Sequence, residues 1–217
     1  MFASRKIRRG GTQILDFTVE GESTVSTANT THTHTSVGIG TADSDRIVIV
    51  AIGAGLAITG PILSNVTIGG VTATRVQSGN TVALAYARVT SGTAANVVLT
   101  SSAGSFSTSE VKAYRLIKSD ISPIDSGTVS GTAPQSISNI ECDPGGVVLI
   151  ASGVDLPVTI TIKTVNAWNG SDSITTDYTP NSRLTASHVL IREKSTIRDV
   201  TVSQTASDTV YAAAASW

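Results

Sequence analysis

The residues best spaced for chemistry are His32 and His34, in the run THTHT. Two apart on a strand, their imidazoles share one face. One chain supplies only this pair, because His188 is too remote in sequence to be added to it. Around a threefold axis, three copies would gather six imidazoles, enough for an octahedral transition metal. The plainer reading leaves both as polar residues on an exposed, Thr-rich strand. Trp168 offers a second grouping, flanked by Asn166 and Asn169 in NAWNGSD. Its indole could stack on a sugar ring, or it could plug the end of a sandwich. The DSD at 43–45 brings two carboxylates and a hydroxyl to one loop. A hard cation such as calcium asks for about six to eight oxygens, so that set is incomplete.

Other catalytic patterns are missing. The chain contains no G-x-S-x-G, no H-E-x-x-H and no phosphate-binding lysine loop. GAGLAITG at 53–60 follows a strand, but its third Gly is misplaced and Pro61 opens no helix, so it reads as a loop. Most carboxylates stand at turn signals (Asp43, Asp45, Asp120, Asp125, Asp143, Asp172 and Asp208), where Asp bonds its own backbone. No nucleophile, base and orienting group can be assembled. The reading is non-enzymatic, with no catalytic residue and no cofactor beyond the conditional metal at His32 and His34.

The elements that must position these residues are strands. Period-2 alternation and β-branched runs dominate from residue 14 onward. Candidates are 14–20, 30–39, 46–52, 65–70, 71–77, 81–89, 95–102 and 111–117, and the same rhythm resumes after KSDISPIDSG. VKAYRLIK and the terminal AAAA admit a helical reading, but both are short and close to strand patterns. The expected fold is all-β, an antiparallel, jelly-roll-like β-sandwich built from two weakly similar halves. DSDRIVIVAIGAG (43–55) is echoed by DPGGVVLIASGVD (143–155), and 82–102 by 184–204. A short basic arm at 1–13 would precede a sandwich domain at 14–217, with pseudo-repeats at about 14–122 and 123–217. The short linker and the scarcity of aromatics favour one sandwich over two in series.

Composition agrees. Of 217 residues 28 are Ser and 31 Thr, hydrophobic types reach 40%, and charged residues are only 14%. An average domain carries about 25% charged residues. That profile excludes a disordered chain and a coiled coil, and Cys142 alone cannot form an intrachain disulfide. Arg5, Lys6, Arg8 and Arg9 concentrate positive charge at the N-terminus, leaving 11 basic against 16 acidic groups in the rest. Such an arm can anchor a subunit to a larger particle, or simply be a solvated terminus. Only Phe2 accompanies it as an aromatic, so nucleic acid is not the expected partner. No apolar stretch follows MFASRKIRRGG, and the longest apolar runs are about a dozen residues against the ~20 of a membrane helix. Synthesis in a cytoplasm, without membrane attachment, is expected. Sequons at Asn29, Asn65 and Asn169 carry little meaning on that route. Low-charge strands such as 30–39 and 209–217 suggest edges and faces buried in an assembly, with Trp217 packed.

DSDRIVIVAIGAG, VTIGGVTATRV, VALAYARVTSGTAANVVLT, KAYRLIKSDISPID and GGVVLIASG together resemble β-sandwich structural proteins of tailed-bacteriophage virions. The resemblance lies in strand rhythm over most of residues 40–217, and Val71 stands where many such domains carry an aromatic. H-x-H metal sites are familiar in trimeric phage spikes and fibres, which THTHT resembles. The resemblance implies a head decoration, head fibre or tail component. It implies self-association, a trimer being favoured, docking on virion proteins such as the major capsid protein, and residence in the virion. A carbohydrate-binding module using Trp168 is the alternative from a different class.

Overall fold

The computed structural model describes residues 15–56, 62–154, 164–168, 173–178, 184–191, 196–204 and 209–217. The protein is all-β, and its sheets are antiparallel throughout. Two sheets form the middle of the molecule. In the first, the spatial order is β1 (Asp16–Val25), β9 (Phe106–Ile117), β3 (Arg46–Leu56), β7 (Val82–Arg88) and β6 (Thr74–Ser78). In the second it is β10 (Asp125–Thr132), β17 (Thr209–Ser216), β12 (Val147–Val154), β15 (Thr185–Leu190) and β14 (Ile174–Tyr178). An outer sheet covers each of these. One contains β2 (Thr31–Gly38), β8 (Ala94–Ser101), β4 (Leu63–Ile68) and the short β5 (Val71–Thr72). The other contains β11 (Gln135–Cys142), β16 (Thr196–Gln204) and β13 (Thr164–Trp168).

These four sheets stack as four layers, so the chain forms two sandwiches back to back. Alternation along β3 makes this visible. Val48, Val50 and Ile52 face the first outer sheet, against Val66, Ile68, Val97 and Leu99. Ile47, Ile49 and Ala51 face the other way, against Val147, Leu149, Ala213 and Ala215 of the second central sheet. β12 behaves alike, turning Val148 and Ile150 toward Ile137, Ile140, Val200 and Val202 of the second outer sheet. A strand covered on both faces is nearly all apolar, and all eight residues of β12 are buried, with Ser152 its one polar side chain. The alanine run of β17 has the same cause. Ala212 and Ala214 face one seam, Ala213 and Ala215 the other, and small side chains let the layers approach. Each fully buried Val, Leu or Ile stabilises the fold by about 1.5–3 kcal/mol relative to exposure.

The middle seam is reciprocal. β6 packs on β10 and β17, and β3 and β7 pack on β12. Tyr114 of β9 and Phe17 of β1 reach Asp177 of β14 and His188 of β15. Trp217 closes this seam, 1% exposed. Its ring meets Tyr86 edge-on at 5.6 Å, and its indole N–H donates to the Ile121 carbonyl at 3.2 Å. Gly79, at φ +56°, turns beneath Tyr211, and a Cβ there would collide with the ring.

Candidate functional site

His32 and His34 do share one face of β2, and that face points inward. They are 1% and 0% exposed, while Thr31, Thr33 and Thr35 take the outer face. Across the sandwich β9 presents Ser109, which is fully buried. The hydrogen bonds there have only one self-consistent direction. His32 Nε2 lies 2.6 Å from the Thr27 carbonyl, which can only accept, so Nε2 carries the proton. The neutral ring's Nδ1 therefore accepts from the Ser109 hydroxyl at 2.7 Å. Ser109 Oγ in turn accepts from His34 Nε2–H at 2.9 Å. His34 Nδ1 is left buried without a hydrogen-bond partner. The Phe106 ring centre lies 5.2 Å from that of His32.

Burial disfavours charge on both rings. Desolvation lowers the His32 pKa below the usual value of 6.5, against the raising effect of the Thr27 and Phe106 backbone. His34 is pushed down to about 4, first by desolvation and then by the neighbouring His32, with the Ser23 backbone opposing. β1 crosses close to β2 here: a Cβ on Gly21 would come within 2.5 Å of the Gly38 nitrogen. The geometry differs from the threefold metal reading. Six imidazoles around an axis must point out of their sandwiches, whereas these point into one. Three of their four ring nitrogens are already engaged, so the pair does not fit a metal shared between copies. Among the described residues, no group of three or more His, Cys, Asp or Glu is placed to hold an ion.

The remaining sequence candidates are not drawn together. Asp43 Oδ1 accepts the Asp45 amide at 2.7 Å, and Asp45 pairs with Arg88 at 3.3 Å, so the DSD carboxylates serve a turn and an ion pair. Asp120 accepts the Ser122 amide at 3.0 Å in the same manner. Residues 53–56 of the Gly-rich run continue β3, and the rest of it lies outside the described residues. Arg5, Lys6, Arg8 and Arg9 also lie outside them. Trp168 sits at the end of β13 paired with Val200, and its side chain is outside what is described.

Two buried polar constructions escaped the sequence reading. The first joins the sandwiches. Asp177, whose side chain is 3% exposed, holds His188 Nδ1 at 2.9 Å and accepts the Tyr114 hydroxyl at 2.9 Å. A bulge produces this: the β14–β15 register shifts between Thr176 and Tyr178, which re-aims Asp177 into the seam. Burial first, then the Asp177 charge and hydrogen bond, raise the Tyr114 pKa well above its ordinary value. The second is Arg46, 0% exposed at the start of β3. Its guanidinium donates to the carbonyls of Val89 (2.6 Å), Ser91 (2.6 Å), Gly40 (2.7 Å), Gly92 (2.8 Å) and Ile39 (3.5 Å). Burial lowers its pKa, partly offset by Glu20 and Asp43. Its only hint in sequence is a charge directly before an apolar run.

Comparison with protein-family models, with curated proteins and with solved structures finds no match to this chain. His32, His34, His188, Asp177 and Arg46 all hold strands or layers to one another. The outer sheet around β2 differs in kind, since β2, β4, β5 and β8 contain no Asp, Glu, Lys or Arg.

Proposed function

We propose that this chain is a non-enzymatic structural subunit of a tailed-bacteriophage particle, an oligomeric head decoration or fibre subunit. The observation that carries the proposal is the disposition of its polar groups. Histidine, aspartate and arginine are invested in the interior, while a whole sheet face is left free of charge. Interface cores are depleted of charged residues in the same way. Strand order adds support. Within the second sandwich the order is β10-β17-β12-β15 opposite β11-β16-β13, and within the first it is β1-β9-β3-β7 opposite β2-β8-β4, which supports reading each as a jelly roll. Jelly rolls serve in viral capsids and in lectins alike. The lectin connection keeps open the second reading, a glycan-binding module that uses Trp168, and a tail position is the variant within the virion class.

The deciding experiment is quantitative mass spectrometry of purified particles, with copy number referred to the major capsid protein. Hundreds of copies support a head decoration; a few to a few tens support a fibre or tail component. Absence from the particle overturns the proposal. A sugar affinity lost in Trp168→Ala would then favour glycan binding.

A further inference from the structure

β2 is held to the first sandwich more by polar contacts than by apolar burial. It lies at the edge of its sheet, hydrogen-bonded there to β8 alone. Its inward side chains are His32, His34 and Val37, where β4 and β8 present Leu63, Val66, Ile68, Val97 and Leu99. One bond to the Thr27 carbonyl and two to the Ser109 hydroxyl secure the imidazoles. The chain is pinned on either side of the strand. Asn29 exchanges backbone hydrogen bonds of 3.1 and 2.9 Å with Phe106, and Arg46 holds the Ile39 and Gly40 carbonyls. Between the pins, a bulge after His34 puts Ser36 at φ +55° and shifts the register with β8.

We infer that β2 is an acid-released flap: with its two histidines charged, residues 31–37 leave the first sandwich while the central sheets and the second sandwich stay folded. The inference is independent of the virion reading. Proton count is the first reason. Two charged rings present four N–H groups. Thr27 accepts one, Ser109 must turn its own proton away to serve both rings, and His34 Nδ1 has no acceptor. The second reason is the absence of a counter-charge among the described residues that face the pair. β8 turns Val97 and Leu99 toward it, β4 Val66, and β9 Phe106, Ser109 and Val111. On β1, Ser23 pairs with Val111 on that same side. The ionisable groups of β1 and β9 point elsewhere. Glu22 and Lys112 meet at 2.9 Å on the far face of β9, which Glu110 shares, and Asp16 and Glu20 turn to Arg115. Each histidine therefore has only the other as an ionisable neighbour, and like charges repel.

Release stays local because the rest of the fold does not lean on this strand. β3, β7 and β9 keep their seam against β12 and β17, and β8 keeps its ladder with β4. What the flap uncovers is an apolar strip that includes Val97, Leu99 and Phe106, hidden at neutral pH and presented in acid. The sign follows from the protons. A released ring titrates near 6.5 and the held His34 near 4, so the open form takes up the proton first as pH falls. Opening should become roughly thirtyfold more favourable at pH 5 than at neutral pH, and the lowered pKa of His32 adds to this.

The test is thiol accessibility in the full chain. Val97 is fully buried and pairs with His34, so Val97→Cys places a probe beneath the flap. The native Cys142, fully buried in the second sandwich, is the reference. Labelling by a pyridyl disulfide is followed at pH 7.5 and pH 5, each rate divided by that of glutathione at the same pH. The introduced thiol should speed up by at least about tenfold in acid, and Cys142 should not follow. Adding His34→Gln should shrink the rise. The wild type gives the same contrast without a probe: hydrogen exchange, corrected for intrinsic rates, should show protection falling over residues 31–37 at pH 5 and holding in β12. An equal rise at both thiols, no rise at the introduced one, a rise undiminished by His34→Gln, or protection lost together in both strands overturns the inference.

Discussion

Acid should weaken this protein through His34. The folded chain holds the ring neutral, with its pKa near 4 against 6.5 when unfolded. A depressed histidine means that the unfolded chain binds the extra proton first as pH falls. Stability is then complete above about pH 6.5, declines through the window from 6.5 to 4, and levels off below it. Each pH unit in that window is worth about 1.36 kcal/mol, so the shift corresponds to about 3 kcal/mol in all, of which about 2 are lost by pH 5. His32 shifts in the same direction and adds to the effect. The structural reason is the proton count. A second proton on His34 would sit at Nδ1, which has no acceptor, and one on His32 would need Ser109 to reverse its hydroxyl. The perturbation is His34→Gln, which keeps an N–H for Ser109 and cannot titrate. Urea unfolding at pH 7.5, 6.5, 5.5 and 4.5 should show a steep pH slope in the wild type and a flatter one in the variant. Every other group is common to both chains, so its contribution cancels in the difference. Parallel slopes, or a His34 resonance that titrates near 6.5 by NMR, would refute the reasoning.

Other consequences are open to the same unfolding assay. Arg46→Met should cost about 3–5 kcal/mol, since it strips donors from carbonyls that the guanidinium serves; a change within about 0.5 kcal/mol would show that water replaces it freely. Tyr114→Phe should cost about 1.5–3 kcal/mol, the worth of a bond to a charged group, and an unchanged stability would show that the seam does not depend on it. Gly79→Ala and Gly70→Ala both force alanine to positive φ, but only Gly79 faces a ring, so its variant should lose more by about 1–3 kcal/mol. Equal losses would mean that Tyr211 moves aside at no cost. Trp217→Ala should remove about 3–5 kcal/mol, and a smaller loss would imply that Tyr86 collapses into the space.

Strand character was legible because β-branched alternation is a local signal. The apolar runs at 46–52 and 147–154 also carried more than was read from them: a strand without a polar face asks for cover on both sides, hence four layers where composition had argued for one sandwich. AAAA looked ambiguous because alanine suits helices, and only a strand squeezed between two layers explains four in succession. THTHT shows the limit of periodicity. Spacing fixes that His32 and His34 share a face, but with Thr and His alternating it does not say which set goes inside. The inward answer comes from Ser109, which lies 75 residues beyond His34. Asp177 was unreadable for a similar reason. Its direction depends on a bulge, and its partner Tyr114 is 63 residues away. Arg46 donates to carbonyls of two separate stretches, Ile39 and Gly40 on one side and Val89, Ser91 and Gly92 on the other, a pattern no local window contains.

The position of β17 bears on how the protein is made. In the second central sheet this strand lies between β10 and β12, and in the first β9 lies between β1 and β3. During synthesis the first sandwich can close once Ile117 has emerged, whereas the second keeps a slot open until β17 arrives. Through that interval β12, apolar on both faces, has a free flank, and Ile47, Ile49 and Leu84 wait uncovered on the finished half. Such half-built sheets are the species most exposed to mispairing with a neighbouring chain. Yield in a host cell should therefore depend on how quickly β17 follows β12, more than on the stability of the completed stack.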